Sequence, residues 1–188
     1  EPLMSCGRRT LPGSKSFTGG GLSTILDDYS RYIITWRLCA SMSTEDVKET
    51  IEAATGLTGV RDSKVLHRPR LLLDNGACHV SKALKEYLNQ QGFAHTHHPM
   101  TRGKIERYHR SMKNILLLES YYSPDELLDQ IGLFVDYYNN YRYHEALKNF
   151  TPADVCFDKG REILTRRENI KKITMRQRSR YNCSLKVA

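Results

Sequence analysis

At 188 residues with 39% hydrophobic content, the chain has material for one domain with a substantial core plus tails, and no run approaches the ~18 apolar residues of a membrane span. The first residues show no apolar signal-peptide stretch, and the five cysteines, Cys6, Cys39, Cys78, Cys156 and Cys183, are scattered without a C-x-x-C pair; free thiols in a soluble, cytoplasmic chain fit better than a disulfide framework. The net charge of +8 is local: residues 159–188 hold ten Lys or Arg against two Glu, and the remaining 158 residues balance nineteen of each sign.

In chain order, Leu22–Asp27 and Tyr32–Cys39 predict two strands around the turn Asp27-Asp-Tyr-Ser-Arg31, because their β-branched and apolar content flanks turn-forming Asp and Ser. Ser43-Thr-Glu-Asp46 carries a capping signature and starts a helix to about Ala54, with Val47, Ile51 and Ala54 on its buried face. Arg70–Asp74 predicts a short strand. Ser81–Gln91 predicts an amphipathic helix on Leu84, Tyr87 and Leu88, stopped by Gly92. Phe93–Thr96 fits another strand, and a long basic helix runs from Arg102 to Leu118. Ser123-Pro-Asp-Glu126 starts a helix to about Tyr141, and Thr151-Pro-Ala-Asp154 starts one more. Strands followed by strand–helix alternation and then long helices predict an α/β fold with a mixed sheet.

The tail leaves two readings open. Arg166, Arg167, Lys171, Lys172, Arg176, Arg178 and Arg180 either contact phosphates or form a solvated helix end; few aromatics accompany them for base stacking. His95, His97 and His98 lack cysteines at the spacing a structural zinc site needs and are assigned to the loop before the basic helix. Tyr137, Tyr138, Tyr141 and Tyr143 are assigned to core packing. On the basic helix, Glu106, His109, Arg110 and Lys113 share one face, which favours contact with a polyanion. Taken singly, Asp74-Asn-Gly76 is a turn and Glu106 a solvated residue pairing with Arg110.

Several ordered motifs carry a resemblance. Leu22-Ser-Thr-Ile-Leu-Asp-Asp-Tyr-Ser-Arg-Tyr32, Leu73-Asp-Asn-Gly76, His98-Pro-Met-Thr-Arg-Gly-Lys-Ile-Glu-Arg107, and Val135-Asp-Tyr-Tyr-Asn139 with Tyr143-His-Glu145 resemble the integrase core of bacterial insertion-sequence transposases, which shares its catalytic core with retroviral integrases. The match spans roughly Leu22 to Arg180. It implies a ribonuclease H-like mixed sheet flanked by helices and a bacterial, cytoplasmic protein acting on insertion-element ends and target DNA, with a homo-oligomer possible and no membrane or small-molecule substrate. It also implies Mg²⁺ or Mn²⁺, held by an Asp on the first strand, an Asp after the fourth and a Glu on the following helix. Asp74 and Glu106 match the second and third. Hard divalent cations prefer such carboxylate oxygens, and a metal pair would activate the attacking oxygen and stabilise the leaving one in 3′-end processing and strand transfer. Asn75, Lys104, Arg107, Arg110 and Lys113, with Arg166, Arg167, Lys171 and Lys172, are assigned to DNA.

The chain departs from the family in two places. Between Asp74 and Glu106 lie 31 residues, a few short of the family interval, and a ~1 Å misplacement of catalytic groups can cost about 100-fold. The first Asp is absent as well. Cys6–Gly21 is rich in Gly and contains Pro12, unlike a central strand. Read back through synonymous codons and shifted to the third base, it yields Trp-Gln-Thr-Asp-Phe-Thr, the segment the resemblance implies, with the Asp codon straddling Arg9 and Thr10. The expectation is therefore a truncated, frameshifted N-terminus. Residues 1–21 are expected to be disordered and out of frame, 22–158 a core whose first strand is missing or disordered, and 159–188 a basic helix and tail. With two of three carboxylates, the chain is expected to be inactive. One rival is a metal nuclease using Asp27 or Asp28 as third ligand. Another is a non-catalytic DNA-binding remnant working through the tail.

Overall fold

The computed structural model describes residues 3–10, 21–41, 43–59, 70–73, 81–96, 102–116, 121 and 123–185. Five strands form one mixed sheet: β1 (Leu3–Thr10), β2 (Gly21–Asp27), β3 (Ile33–Cys39), β4 (Arg70–Leu73) and β5 (His95–Thr96), in the order β3-β2-β1-β4-β5. β1 pairs antiparallel with β2 and parallel with β4; β2–β3 is antiparallel and β4–β5 parallel. The helices are α1 (Thr44–Thr58), α2 (Lys82–Gln90), α3 (Arg102–Leu116), α4 (Pro124–Asn140), α5 (Pro152–Cys156) and α6 (Gly160–Leu185), with a 3₁₀ turn at Glu145–Leu147.

Local chemistry sets the helix starts. Ser43 and Asp46 form a reciprocal capping box on α1, as do Thr151 and Asp154 on α5. Ser81 accepts from the Leu84 N–H, and Ser123, followed by Pro124, accepts from the Glu126 N–H. α1 ends at Gly59, whose φ of 65° suits a residue without Cβ.

Both sheet faces are covered. Cys6, Ile25 and Leu71 pack against Val47, Ile51 and Ala54 of α1 and Leu84 and Leu88 of α2. Leu22, Leu26 and Ile33 pack against Ile105, Tyr108, Met112 and Leu116 of α3 and Leu127, Ile131, Phe134 and Tyr138 of α4. Residues Gly21–Leu26 of β2 are accordingly all buried, as expected for a strand covered on both faces.

The first strand corrects an expectation. Leu3–Thr10 is neither missing nor disordered: it occupies the middle of the sheet, and Gly21 already belongs to β2. The slot between β2 and β4 demands a strand, because leaving it empty would strand a row of backbone donors and acceptors on each neighbour. The residues that argued against a strand, Pro12 and Gly13, follow Thr10 and lie with 11–20 outside the described residues. No helix among the described residues is long and apolar enough to cross a membrane.

Candidate functional site

The register of β1 locates the site. Cys6 lies level with Leu73 at the end of β4, and Gly7 follows it on β1, opposite Thr24 of β2. Side chains alternate faces along a strand. Cys6 belongs to the α1 side, so position 7 belongs to the α3 side, like its antiparallel partner Thr24. Gly7 brings no side chain, and Leu3–Thr10 contains no Asp or Glu, so β1 supplies no carboxylate to this face. Asp74 and Asn75 lie outside the described residues, as do His97 and His98. Among the described residues, no group of three or more His, Cys, Asp or Glu could hold a metal ion. A pair of Mg²⁺ ions asks for several carboxylate oxygens on each side of the reacting phosphate, and of the matched carboxylates the described residues include Glu106.

Helix α3 presents two different flanks. Its buried stripe is Ile105, Tyr108, His109, Met112 and Leu116. Glu106 is exposed, and Arg110 and Lys113 stand on its side of the helix, with Lys113 half-buried. Residues 104 and 106 are about 200° apart on a helix of 3.6 residues per turn, so Lys104 points the other way, to the β2–β3 turn. There Nζ meets Asp28 Oδ2 at 2.5 Å and the Asp28 carbonyl at 2.9 Å. Arg107 bends back, its Nε donating to the Gly103 carbonyl at 2.7 Å. His109, expected on the polyanion face, is buried instead, because it falls within the apolar stripe.

Asp27 and Asp28, the rival candidates for a third ligand, are both engaged at their own turn. Asp28 is ion-paired on the flank away from Glu106. Asp27 Oδ2 accepts from the Ser30 N–H at 2.8 Å and hydroxyl at 2.5 Å, closing the turn. It also lies level with Met4, three positions before Gly7, which is about 10 Å along a strand rising ~3.3 Å per residue.

A buried aromatic group joins α3 to α4. The Tyr108 and Tyr138 rings meet edge-on at 5.0 Å, and Tyr138 meets His144 at 5.0 Å. Burial raises the Tyr108 phenol and pushes Tyr138 up to about 12, against the pull of Arg142, Arg31 and Arg107. Burial, helped by Arg142 and Arg31, drops His144 to about 4, so it is neutral at pH 7. Of the four tyrosines assigned to the core, only Tyr138 belongs there. Tyr137, Tyr141 and Tyr143 are exposed, because Tyr138 lies in line with Ile131 and Phe134 of α4 while the others fall on its outer face or beyond its end. Asn139, quoted only within the Tyr-Tyr-Asn motif, proves structural: buried, it accepts from the Ile33 N–H at 2.9 Å and donates to the Ile33 carbonyl at 3.1 Å.

On α6, Arg166 and Lys171 are exposed and Lys172 pairs with Glu168 at 3.9 Å. Arg167 is engaged by the core. Its guanidinium lies 4.9 Å from the Phe150 ring centre and donates to the carbonyls of Lys148 (3.2 Å) and Asn149 (2.6 Å). Both of those residues have positive φ, 57° and 56°, so Arg167 secures a turn that non-glycine residues adopt at a cost. Arg167→Ala is expected to lower stability by about 1–2 kcal/mol, from the lost cation–π contact and hydrogen bonds. Thermal unfolding of the variant beside Arg166→Ala, expected near neutral, checks this.

The fold agrees with that of known proteins. Two descriptions of the integrase core domain match the chain, at residues 16–102 and 81–152. The HTLV-2 integrase catalytic core domain, solved in complex with magnesium, aligns over 81% of this chain and 94% of its own, with TM-score 0.62 and 18% identity. The catalytic core domain of BIV integrase aligns over 86% and 97%, with TM-score 0.58 and 15% identity. A chain of the simian T-cell lymphotropic virus intasome, solved with PP2A regulatory subunit B56 gamma, aligns over 81% and 53%, with TM-score 0.64 and 15% identity. The two matched segments overlap and run together from residue 16 to 152, and the chain belongs to the integrase core domain family, with the ribonuclease H-like fold of retroviral integrase catalytic cores.

Proposed function

We propose that this chain is the core of an insertion-element transposase that binds DNA without catalysing its transfer. Its ancestry is that of enzymes performing metal-dependent 3′-end processing and strand transfer in DNA transposition, in the bacterial cytoplasm and on paired DNA ends. Support for lost catalysis is the single observation that the central strand β1, Leu3–Thr10, contains no Asp or Glu where the family pattern asks for one. Two carboxylates from Asp74 and Glu106 leave each cation short of charge and ligands. Support for DNA binding is the charge distribution: Arg110 and Lys113 on α3, and Arg166 and Lys171 exposed on α6, offer sites for phosphates. Lys104, held by Asp28, and Arg167, held by the 148–149 turn, contribute less than composition implies. Self-association follows the relatives, one solved in dimeric and trimeric forms and another within an intasome.

The test combines two assays on the purified chain. Fluorescence anisotropy with duplex DNA is expected to show binding that weakens steeply with salt, log affinity falling by about 0.9 per phosphate neutralised. A strand-transfer assay with Mg²⁺ or Mn²⁺ is expected to show no product above background. Product formation at ordinary enzymatic rates would overturn the proposal, and so would salt-independent or absent binding.

A further inference from the structure

The flank of α3 turned away from Glu106 borders a cleft of about 290 Å³. Arg31 from the β2–β3 turn, Lys104 and Arg107 from α3, and Arg142 and His144 from beyond α4 line it, and Arg110, about 40° around the helix from Glu106, also lines it from between the two flanks. Its one lining carboxylate is Glu145, and Lys104 is already balanced by Asp28. Among the described residues, no ion pair compensates Arg31, Arg107, Arg110 or Arg142. Four guanidinium groups around one concave space repel each other unless an anion enters, and their planar forks match phosphate oxygens.

Two further observations point to a ligand. Arg142, Arg31 and Arg107 all act on the Tyr138 phenol, so their fields overlap at the cleft wall. His144 Nε2 is buried with no hydrogen-bond partner among the described residues, although buried polar atoms ordinarily have one. Exposed tyrosines stand nearby: Tyr29 (78% exposed) in an adjoining cleft that shares Arg31 and Lys104, and Tyr141 and Tyr143 (67% and 66%) on either side of Arg142 in the chain.

We infer that this cleft is a second DNA-binding site, one that grips the phosphodiester backbone of a strand on the flank of α3 that carries Lys104 and Arg107, away from Glu106 and Lys113. The guanidiniums take the phosphate oxygens, and the neighbouring tyrosines offer faces on which unpaired bases stack. This inference rests on the DNA-binding reading above and adds a separate location to it. The chain then holds two strands at once, one along each flank of a single helix.

The test uses variants that keep the fold. Arg31 has a φ of 62°, so Arg31→Gly removes the charge and relieves the backbone; Arg142→Gln removes a second charge. Lys113→Ala probes the Glu106 flank. Anisotropy is read with short single-stranded and duplex DNA across a salt series, with inorganic phosphate as competitor and thermal unfolding as control. The double variant R31G/R142Q is expected to lose about ten-fold in affinity for single-stranded DNA and to lower the salt slope by roughly 1–2. Its effect should add to that of Lys113→Ala, as for separate surfaces. If the natural chain binds DNA and loses affinity with Lys113→Ala, but R31G/R142Q binds unchanged, the cleft is overturned while the DNA-binding reading stands. If the natural chain binds no DNA, both fall. Inorganic phosphate competing as well as an oligonucleotide of equal charge would make the ligand a free anion and also overturn the proposal.

Discussion

Gly7→Asp is expected to give the chain a divalent-metal response that the natural sequence lacks. The substitution places a carboxylate on the α3 face of the central strand, one position beyond the Cys6–Leu73 pair. Added to Asp74 and Glu106 it makes three carboxylates, which can hold a hard cation where two cannot. With a dissociation constant about ten-fold below the added Mg²⁺, binding to the folded state alone stabilises it by ~1.4 kcal/mol. For a chain of this size, that raises the unfolding temperature by roughly 3–6 °C. The natural chain should shift by less than 1 °C on the same scale, and Asp74→Ala in the Gly7→Asp background should abolish the response. An equal Mg²⁺ shift in the natural chain would mean that its own donors already suffice.

A second variant tests the coding-frame idea. Writing Trp-Gln-Thr-Asp-Phe-Thr over positions 6–11 puts the acid at position 9, two beyond Gly7. A slip of two residues keeps every side chain on its face of the sheet, whereas a slip of one would reverse them all. If the acid works at 9 and not at 7, the restored strand pairs two residues out of the present register. If it works only at 7, the present register is that of the active ancestor.

How much of this was legible beforehand depends on the range of each interaction. The α/β class, the hairpin around Asp27–Arg31 and the starts of α1, α2, α4 and α5 are written in caps and periodicity within a few residues of one another, and they fold where the sequence predicts them. β1 was missed because its own residues, with Gly7 and two arginines, are poor strand formers; the demand for it comes from β2 and β4. The Lys104–Asp28 pair spans 76 positions and the Asn139–Ile33 pair 106, and no local pattern announces either. The two flanks of α3 were blurred for a related reason: which of its basic residues face the polyanion depends on which stripe is buried, and the apolar stripe admits His109.

Asn139→Ala is expected to be among the most destabilising single changes in the chain. β3 is an edge strand, and Tyr32 turns its carbonyl towards β2 to accept from the Asp27 N–H. Adjacent residues of a strand point their backbone groups in opposite directions, so Ile33 directs its N–H and C=O away from the sheet. Asn139, 4% exposed, satisfies both at 2.9 and 3.1 Å. Alanine leaves two backbone groups without partners in a closed interior, at about 1–3 kcal/mol each. A combined loss of ~3 kcal/mol lowers the unfolding temperature by roughly 6–12 °C. Asn139→Asp should do no better, since a carboxylate accepts from the N–H but offers nothing to the carbonyl, and its charge would be buried. A fall of less than about 1 kcal/mol for alanine, below the cost of even one unsatisfied group, would show that Ile33 finds other partners. The consequence extends past stability. Arg142 and His144 follow Asn139 within a few residues and line the basic cleft, so the bond that closes the sheet edge also fixes the far wall of that cleft. Asn139→Ala should therefore weaken single-stranded DNA binding even below its unfolding temperature, while duplex binding through Lys113 persists.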